Sequence, residues 1–251
     1  MARLKPTAPL ETGLTDWNAE LAGYAKEAAA SEPPTGGGHI STKGGRLTYQ
    51  GKEIPGAKMN VVILDHAMVN QYFGRAYNPD DKNPPRCFAI GRVLVELAPH
   101  ENAADPENSS CSGCPLNAFG SATVGRGKAC KNTRRLLLVP EGELDNLATA
   151  ELTTFSVSPT SLKQWSAYVD QLAGVLHKPP FAVVTEISVV ADSKTLFRTE
   201  FRLQREITET KHLRALLDRK KQAEELLLRP YSKVEEAPAP ATTAPRGRSK
   251  F

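Results

Sequence analysis

Met59-Asn-Val-Val-Ile-Leu-Asp65 decides how the chain is read. Val61, Val62, Ile63 and Leu64 are consecutive, apolar and bounded by polar residues. A run so short and so rich in β-branched residues predicts a buried strand. The β pattern continues around it, from residue 39 to about 100. Residues 46–50 (Arg-Leu-Thr-Tyr-Gln) predict a short strand, and Gly51 and Pro55-Gly56 are turn signals. Residues 69–74 predict a strand that pairs with 59–65, and 88–97 predict another.

Downstream, residues 136–139 and 152–157 predict two more strands. Ser158-Pro-Thr-Ser161 opens a helix, and Leu162, Trp165, Val169, Leu172 and Leu176 recur at helical spacing on one face. Pro179 and Pro180 end it. Residues 181–190 and 195–203 read as a hairpin around Ala191-Asp-Ser-Lys194. Residues 208–228 predict a second amphipathic helix, with Leu213, Leu216, Leu217, Ala223 and Leu227 on one side. The fold class expected is α+β, mainly β, with two amphipathic helices. Residues 1–38 form an N-terminal arm. In it Asp16 caps a short helix carrying Trp17, Leu21 and Ala25, and the glycines at 36–38 make a joint. Trp17 and Trp165 are assigned to packing. Residues 231–251 are Pro, Ala, Thr and charge, too poor in apolar surface to order themselves.

Hydrophobic residues make up 40% of the 251 and charged residues 24%. A core of useful size is within reach at this length, so no metal is needed for the chain to fold as a whole. The net charge of +4 is a mild bias towards polyanions. No stretch approaches the roughly 18 apolar residues of a membrane span. Residues 1–9 carry no apolar segment after their basic residues, which predicts a cytoplasmic protein in a reducing compartment.

There, clustered cysteines are metal ligands more often than disulfides. The four cysteines are spaced C-x23-C-x2-C-x15-C, as Cys87, Cys111, Cys114 and Cys130. In Cys111-Ser-Gly-Cys114 both sulfurs can face one ion, and Gly113 lets backbone amides turn towards them. Four thiolates complete a tetrahedron and leave no open position, which is the pattern of structural zinc, Zn2+. The segment 98–132 has no apolar run and is rich in Gly, Pro, Asn and Ser. A loop this long needs something to organise it. Cys87 would tie it to a strand and Cys130 would tie its far end. His100 is the substitute ligand if Cys87 is not used.

Gly125-Arg-Gly-Lys-Ala-Cys-Lys-Asn-Thr-Arg-Arg135 holds Arg126, Lys128, Lys131, Arg134 and Arg135 with no acidic residue. A basic segment with glycines suits phosphate contact, because Gly125 and Gly127 allow close backbone approach. Aromatic residues lie near other cations: Tyr72, Phe73, Arg75 and Tyr77 form one group, Lys43 and Arg46 flank Tyr49, and Phe119 sits inside the cysteine loop. Cations on the backbone and flat rings on unpaired bases are what hold single-stranded nucleic acid.

The elements Cys111-Ser-Gly-Cys-Pro115, Asn117-Ala-Phe-Gly-Ser121, 125–131 and Arg134-Arg-Leu136 resemble tailed-phage proteins. More broadly, residues 39–205 are similar in organisation to phage-encoded, zinc-containing single-stranded-DNA-binding proteins. The resemblance implies an OB-like barrel over 39–230 with a zinc insertion at about 87–135, located in the host cell cytoplasm. It implies single-stranded DNA as partner during phage DNA replication or recombination, with replication or recombination proteins as further partners. Two departures stand out. Those relatives place a histidine among their zinc ligands. They also often end in an acidic tail, whereas here Glu235 and Glu236 lead to a basic Arg246-Gly-Arg-Ser-Lys-Phe251. The other reading is a zinc-stabilised interaction module of a replication or transcription assembly. An enzyme is disfavoured, since neither GxxxxGK[ST] nor HExxH occurs. Asp65 and His66 could form an acid–base pair, but adjacent strand residues point to opposite faces.

Overall fold

The apolar run at 61–64 lies in the longest strand of a nine-stranded sheet. In the computed structural model, the described residues are 39–75, 83–232 and, nearer the N-terminus, Trp17, Glu20, Leu21 and Tyr24. The chain divides into two units, Met1–Gly37 and Gly38–Phe251. In the first, Trp17 is helical but 58% exposed, so it is not the packing residue expected. Asp16 and Ala25 lie outside the described residues, as does the tail from 233 onwards.

In the second unit β1 is His39–Ser41, β2 Thr48–Tyr49, β3 Lys52–Glu53, β4 Lys58–Tyr72 and β5 Cys87–Gly91. Then follow β6 Lys131–Pro140, β7 Thr153–Val157, β8 Val183–Asp192 and β9 Leu196–Glu206. The helices are α1 Leu162–Gln171, continued by a wide π turn at Leu172–Leu176, then α2 Thr210–Gln222 and α3 Glu224–Leu228. The sheet order is β3-β2-β1-β7-β6-β4-β8-β9, and β5 also pairs with β4. All pairs are antiparallel except β1 with β7.

β4 organises the sheet. On one side it pairs with β6 from Val61 to Gln71. Its other side is shared: β8 takes Lys58–Val61 and β5 takes Met68–Tyr72. The strand expected at 69–74 is therefore the far half of the strand at 59–65, not its partner. The sheet curls into a half-barrel. Its ends approach each other where the turn Lys43–Gly45 meets β9, so that a Cβ on Gly45 would lie 3.2 Å from Phe197 Cδ1. The architecture is thus mixed α/β and mainly strand, with few helices. The strand expected at 88–97 is shorter, since the backbone leaves the sheet after Gly91 and turns at Leu94–Glu96.

Both faces of the sheet are covered, which is why the run at 61–64 does not alternate with polar residues. Val61 and Ile63 pack with Leu136, Leu138, Phe155, Trp165, Tyr168 and Phe201 under α1. Val62 and Leu64 pack with Leu137, Val139, Leu216, Ala223 and Leu227 under α2 and α3. Leu217, expected on that buried side, is exposed. The helix expected over 208–228 breaks at Ala223, whose φ/ψ of −98° and 4° is not helical.

A β-bulge between Ile63 and Asp65 places Asp65 on the α2 side and His66 on the α1 side. Arg92 Nη1 lies 2.6 Å from one Asp65 oxygen and Lys220 Nζ 3.4 Å from the other. His66 meets Trp165 edge-on at 5.4 Å. The two side chains point apart, as adjacent strand residues do, and make no acid–base pair. Across the core, the Tyr168 hydroxyl and Thr185 Oγ1 are 2.6 Å apart and buried. Tyr168→Phe strands the Thr185 hydroxyl, and we expect a loss of about 1–2 kcal/mol, read from urea unfolding.

Candidate metal centre and its basic rim

β5 begins with Cys87, which pairs with Tyr72 at the end of β4. The chain then runs through the long loop and returns at Cys130, one residue before β6. All four cysteines line a single cavity, together with Asn70, Tyr72, Glu107 and Asn117. None is in a disulfide. The Cys130 thiol is the most buried, and burial pushes its pKa up to about 12. Burial also raises Cys87 and Cys111, and their neighbouring thiols add to the shift.

As they stand, no three His, Cys, Asp or Glu side chains among the described residues are gathered closely enough to hold a metal ion. The thiols share a cavity without forming a ligand set. A divalent cation would deprotonate a coordinating thiol outright. The surrounding donors fit such a centre. The Glu107 and Gln71 backbone amides act on Cys87 and Cys130 to favour the thiolate. The Asn70 side chain does the same at Cys111. N–H groups aimed at sulfur are the usual outer shell of a metal–thiolate site. His100 does not line the cavity: its ring stacks on Phe88, and its Nδ1 accepts the Asn102 backbone N–H at 3.0 Å.

The loop is not shapeless. Cys111 N–H donates to Leu97 O and Cys130 N–H to Leu116 O, both at 2.9 Å. Ser121 Oγ donates to Leu116 O and Ala118 O and accepts the Ala129 N–H. Gly120 N–H reaches the carbonyls of Arg126 and Gly127, closing a turn between Cys114 and Cys130. Gly125, at φ +77°, sits in it where a side chain would be strained. Gly127 shows no such conformation.

The basic residues separate into distinct groups. Phe119 is 83% exposed on this turn, and Lys128 Nζ lies 5.0 Å from its ring centre. Arg126 is exposed and makes no ion pair among the described residues. Lys131 is exposed and donates to Lys128 O. Lys128 itself is half-buried and bound to Asn117 and Asn132, so it holds the loop together. Lys131, Arg134 and Arg135 lie on β6, not in the loop. Arg134 is half-buried and donates to Thr133 O, and burial lowers its pKa. Arg135 donates to the carbonyls of Leu227 and Arg229 and stacks on Tyr231, so it caps α3.

Elsewhere, Tyr72 turns into the cysteine cavity. Arg75 lies over the Phe73 ring at 5.7 Å. Arg46 pairs with Glu53 at 3.5 Å, and Lys43 is exposed in the turn after β1. Tyr77 lies outside the described residues. Thus Phe119, Arg126, Lys128 and Lys131 come together, whereas Lys43, Arg46 and Arg135 belong to other neighbourhoods. Sequence reasoning did not find Asn70, Asn117 and Asn132, which link the cavity to Lys128. No helix among the described residues is long and apolar enough to cross a membrane. Comparison with protein-family models, curated proteins and solved structures finds no match.

Proposed function

We propose that this chain is a non-enzymatic, phage-encoded single-stranded-DNA-binding protein of DNA replication or recombination. Cys87, Cys111, Cys114 and Cys130 hold one structural zinc, and the half-barrel serves as an OB-type scaffold. One observation carries the reading. All four cysteines of the chain line one cavity at the base of a turn that exposes the Phe119 ring and the Arg126 side chain. Zinc supplies rigidity there and no chemistry. Phe119 stacks on an unpaired base, while Arg126 and Lys131 meet the phosphates. The protein acts in the host cytoplasm, beside other replication or recombination proteins.

Binding to an unlabelled-sequence single strand should exceed binding to duplex and weaken with salt. Each phosphate neutralised contributes a slope of about −0.7 in log affinity against log salt. The double variant Arg126→Glu/Lys131→Glu should flatten that slope and cut affinity at low salt by about tenfold or more. An unchanged single-strand isotherm would remove these residues from the interface.

A second reading has its own support. Val93, Leu94 and Val95 are all exposed beyond β5, and Val124 is 87% exposed on the turn. Exposed apolar side chains of this kind suit a protein partner, with zinc shaping a docking surface. The same double variant separates the two, because a docking module keeps whatever single-strand affinity it has.

A further inference from the structure

The cavity wall contains a buried donor that faces the Cys111 sulfur without forming a geometric hydrogen bond. Asn70 is 3% exposed, and its Nδ2 has no hydrogen-bond partner among the described residues. A buried amide N–H left unsatisfied is costly, so such a group points to an acceptor stronger than a neutral thiol. Asn70 lines the cysteine cavity and lies against Cys111. A neutral thiol is a weak acceptor, whereas a metal-bound thiolate is a strong one.

The orientation of that amide is fixed from a distance. Lys128 Nζ carries only donors, so it must meet oxygen, and it does so at Asn132 Oδ1, 2.9 Å, and Asn117 Oδ1, 3.2 Å. Asn132 must then turn its Nδ2 inward. That nitrogen donates to Asn70 Oδ1 at 2.7 Å and to Asn117 Oδ1 at 3.0 Å. With its oxygen engaged, Asn70 can present only N–H to the cysteines. Asn117 Nδ2 closes the ring by donating to Cys111 O at 2.8 Å. The half-buried Lys128 cation from one end and the Cys111 carbonyl from the other thus set the polarity of three amides in series.

We propose that Asn70 is the outer-shell donor to the Cys111 sulfur of a metal–thiolate centre, and that Lys128, through Asn132, is the positioning residue that keeps it so oriented. This rests on the four-cysteine zinc reading above. It adds that Lys128, which lies over the exposed Phe119 ring, and the metal centre belong to one hydrogen-bonded unit. A change at either end is felt at the other.

The test is titration of the metal-free full chain with Co2+, read by the thiolate-to-cobalt charge-transfer band, followed by competition with Zn2+. Asn70→Leu should keep one metal per chain, shift the band and lower Zn2+ affinity about 10–100-fold. Lys128→Met touches no sulfur, yet it should shift the band in the same direction, because Asn132 then loses the contact that anchors its oxygen and holds Asn70 less firmly. This second variant lies at the half-exposed end of the network, so it remains informative if Asn70→Leu folds poorly. An unchanged band and affinity in Asn70→Leu would overturn the donor assignment. A shift in Asn70→Leu with none in Lys128→Met would overturn the positioning role. Failure of the unaltered chain to bind either metal would overturn the zinc reading and this inference together, whereas a variant-only failure leaves the zinc reading intact.

Discussion

Trp165→Ala should cost about 3–5 kcal/mol, the range for removing a large buried aromatic side chain. The ring is 2% exposed and sits where α1 closes on the half-barrel. It meets Phe201 at 5.2 Å and His66 at 5.4 Å edge-on, and Tyr168 at 6.3 Å. These partners come from β9, β4 and α1, so the loss is felt across the sheet and not at one contact. His66 would also lose the cover that keeps it dry. Burial holds its pKa down, with Arg134 among the charges that act the same way, and Asp65 opposes them. Opening the site should therefore let His66 protonate more readily. The stability difference should appear as a lower urea midpoint followed by far-ultraviolet circular dichroism. A loss below about 1 kcal/mol would mean that α1 does not close the core as described.

The second large effect is local. Cys114→Ser should lower zinc affinity by at least ~100-fold, beyond what loss of an outer-shell partner does. Single-strand affinity should fall about tenfold, equivalent to ~1.4 kcal/mol. The sheet should survive. Its two cores draw on strands and helices outside the cysteine loop, and the loop has hydrogen bonds of its own. The unfolding midpoint of the variant should therefore stay close to that of the metal-free parent. Loss of all cooperative folding in Cys114→Ser would show that the cysteine cavity supports the whole domain.

What could be read from the sequence follows from how local the signal was. The run at 61–64 is unbroken because both faces of β4 are covered, and so it was legible. Its continuation to Tyr72 was not. Asp65, His66, Asn70 and Gln71 interrupt the apolar pattern and look like the end of a strand. The bulge and the cations of Arg92 and Lys220 are what allow a carboxylate there. Both the turn of α1 and the β8–β9 hairpin were legible from their periodicity and their prolines. The break at Ala223 was not, because Glu224 and Glu225 continue a good helical composition.

The same holds at the site. Cysteine spacing is a covalent fact of the sequence, so the four could be grouped without a structure. The fate of each arginine is a tertiary fact. Arg135 reads as a free cation in a basic run, yet it caps a helix more than 90 residues away. Asn70, Asn117 and Asn132 looked like ordinary loop and strand polar residues. Only the pairing of β4 with β6, which sets Asn70 opposite Asn132, brings them into one network with Lys128.

The central claim is that a metal-ordered basic turn binds single strands, and one titration addresses it most directly. A fluorescently labelled single-stranded oligonucleotide is titrated with the zinc-loaded full chain at low salt, and again after the metal is removed by a chelator. The account predicts saturable binding with zinc and affinity at least about tenfold weaker without it. No binding at low salt, or equal binding in both states, would contradict it.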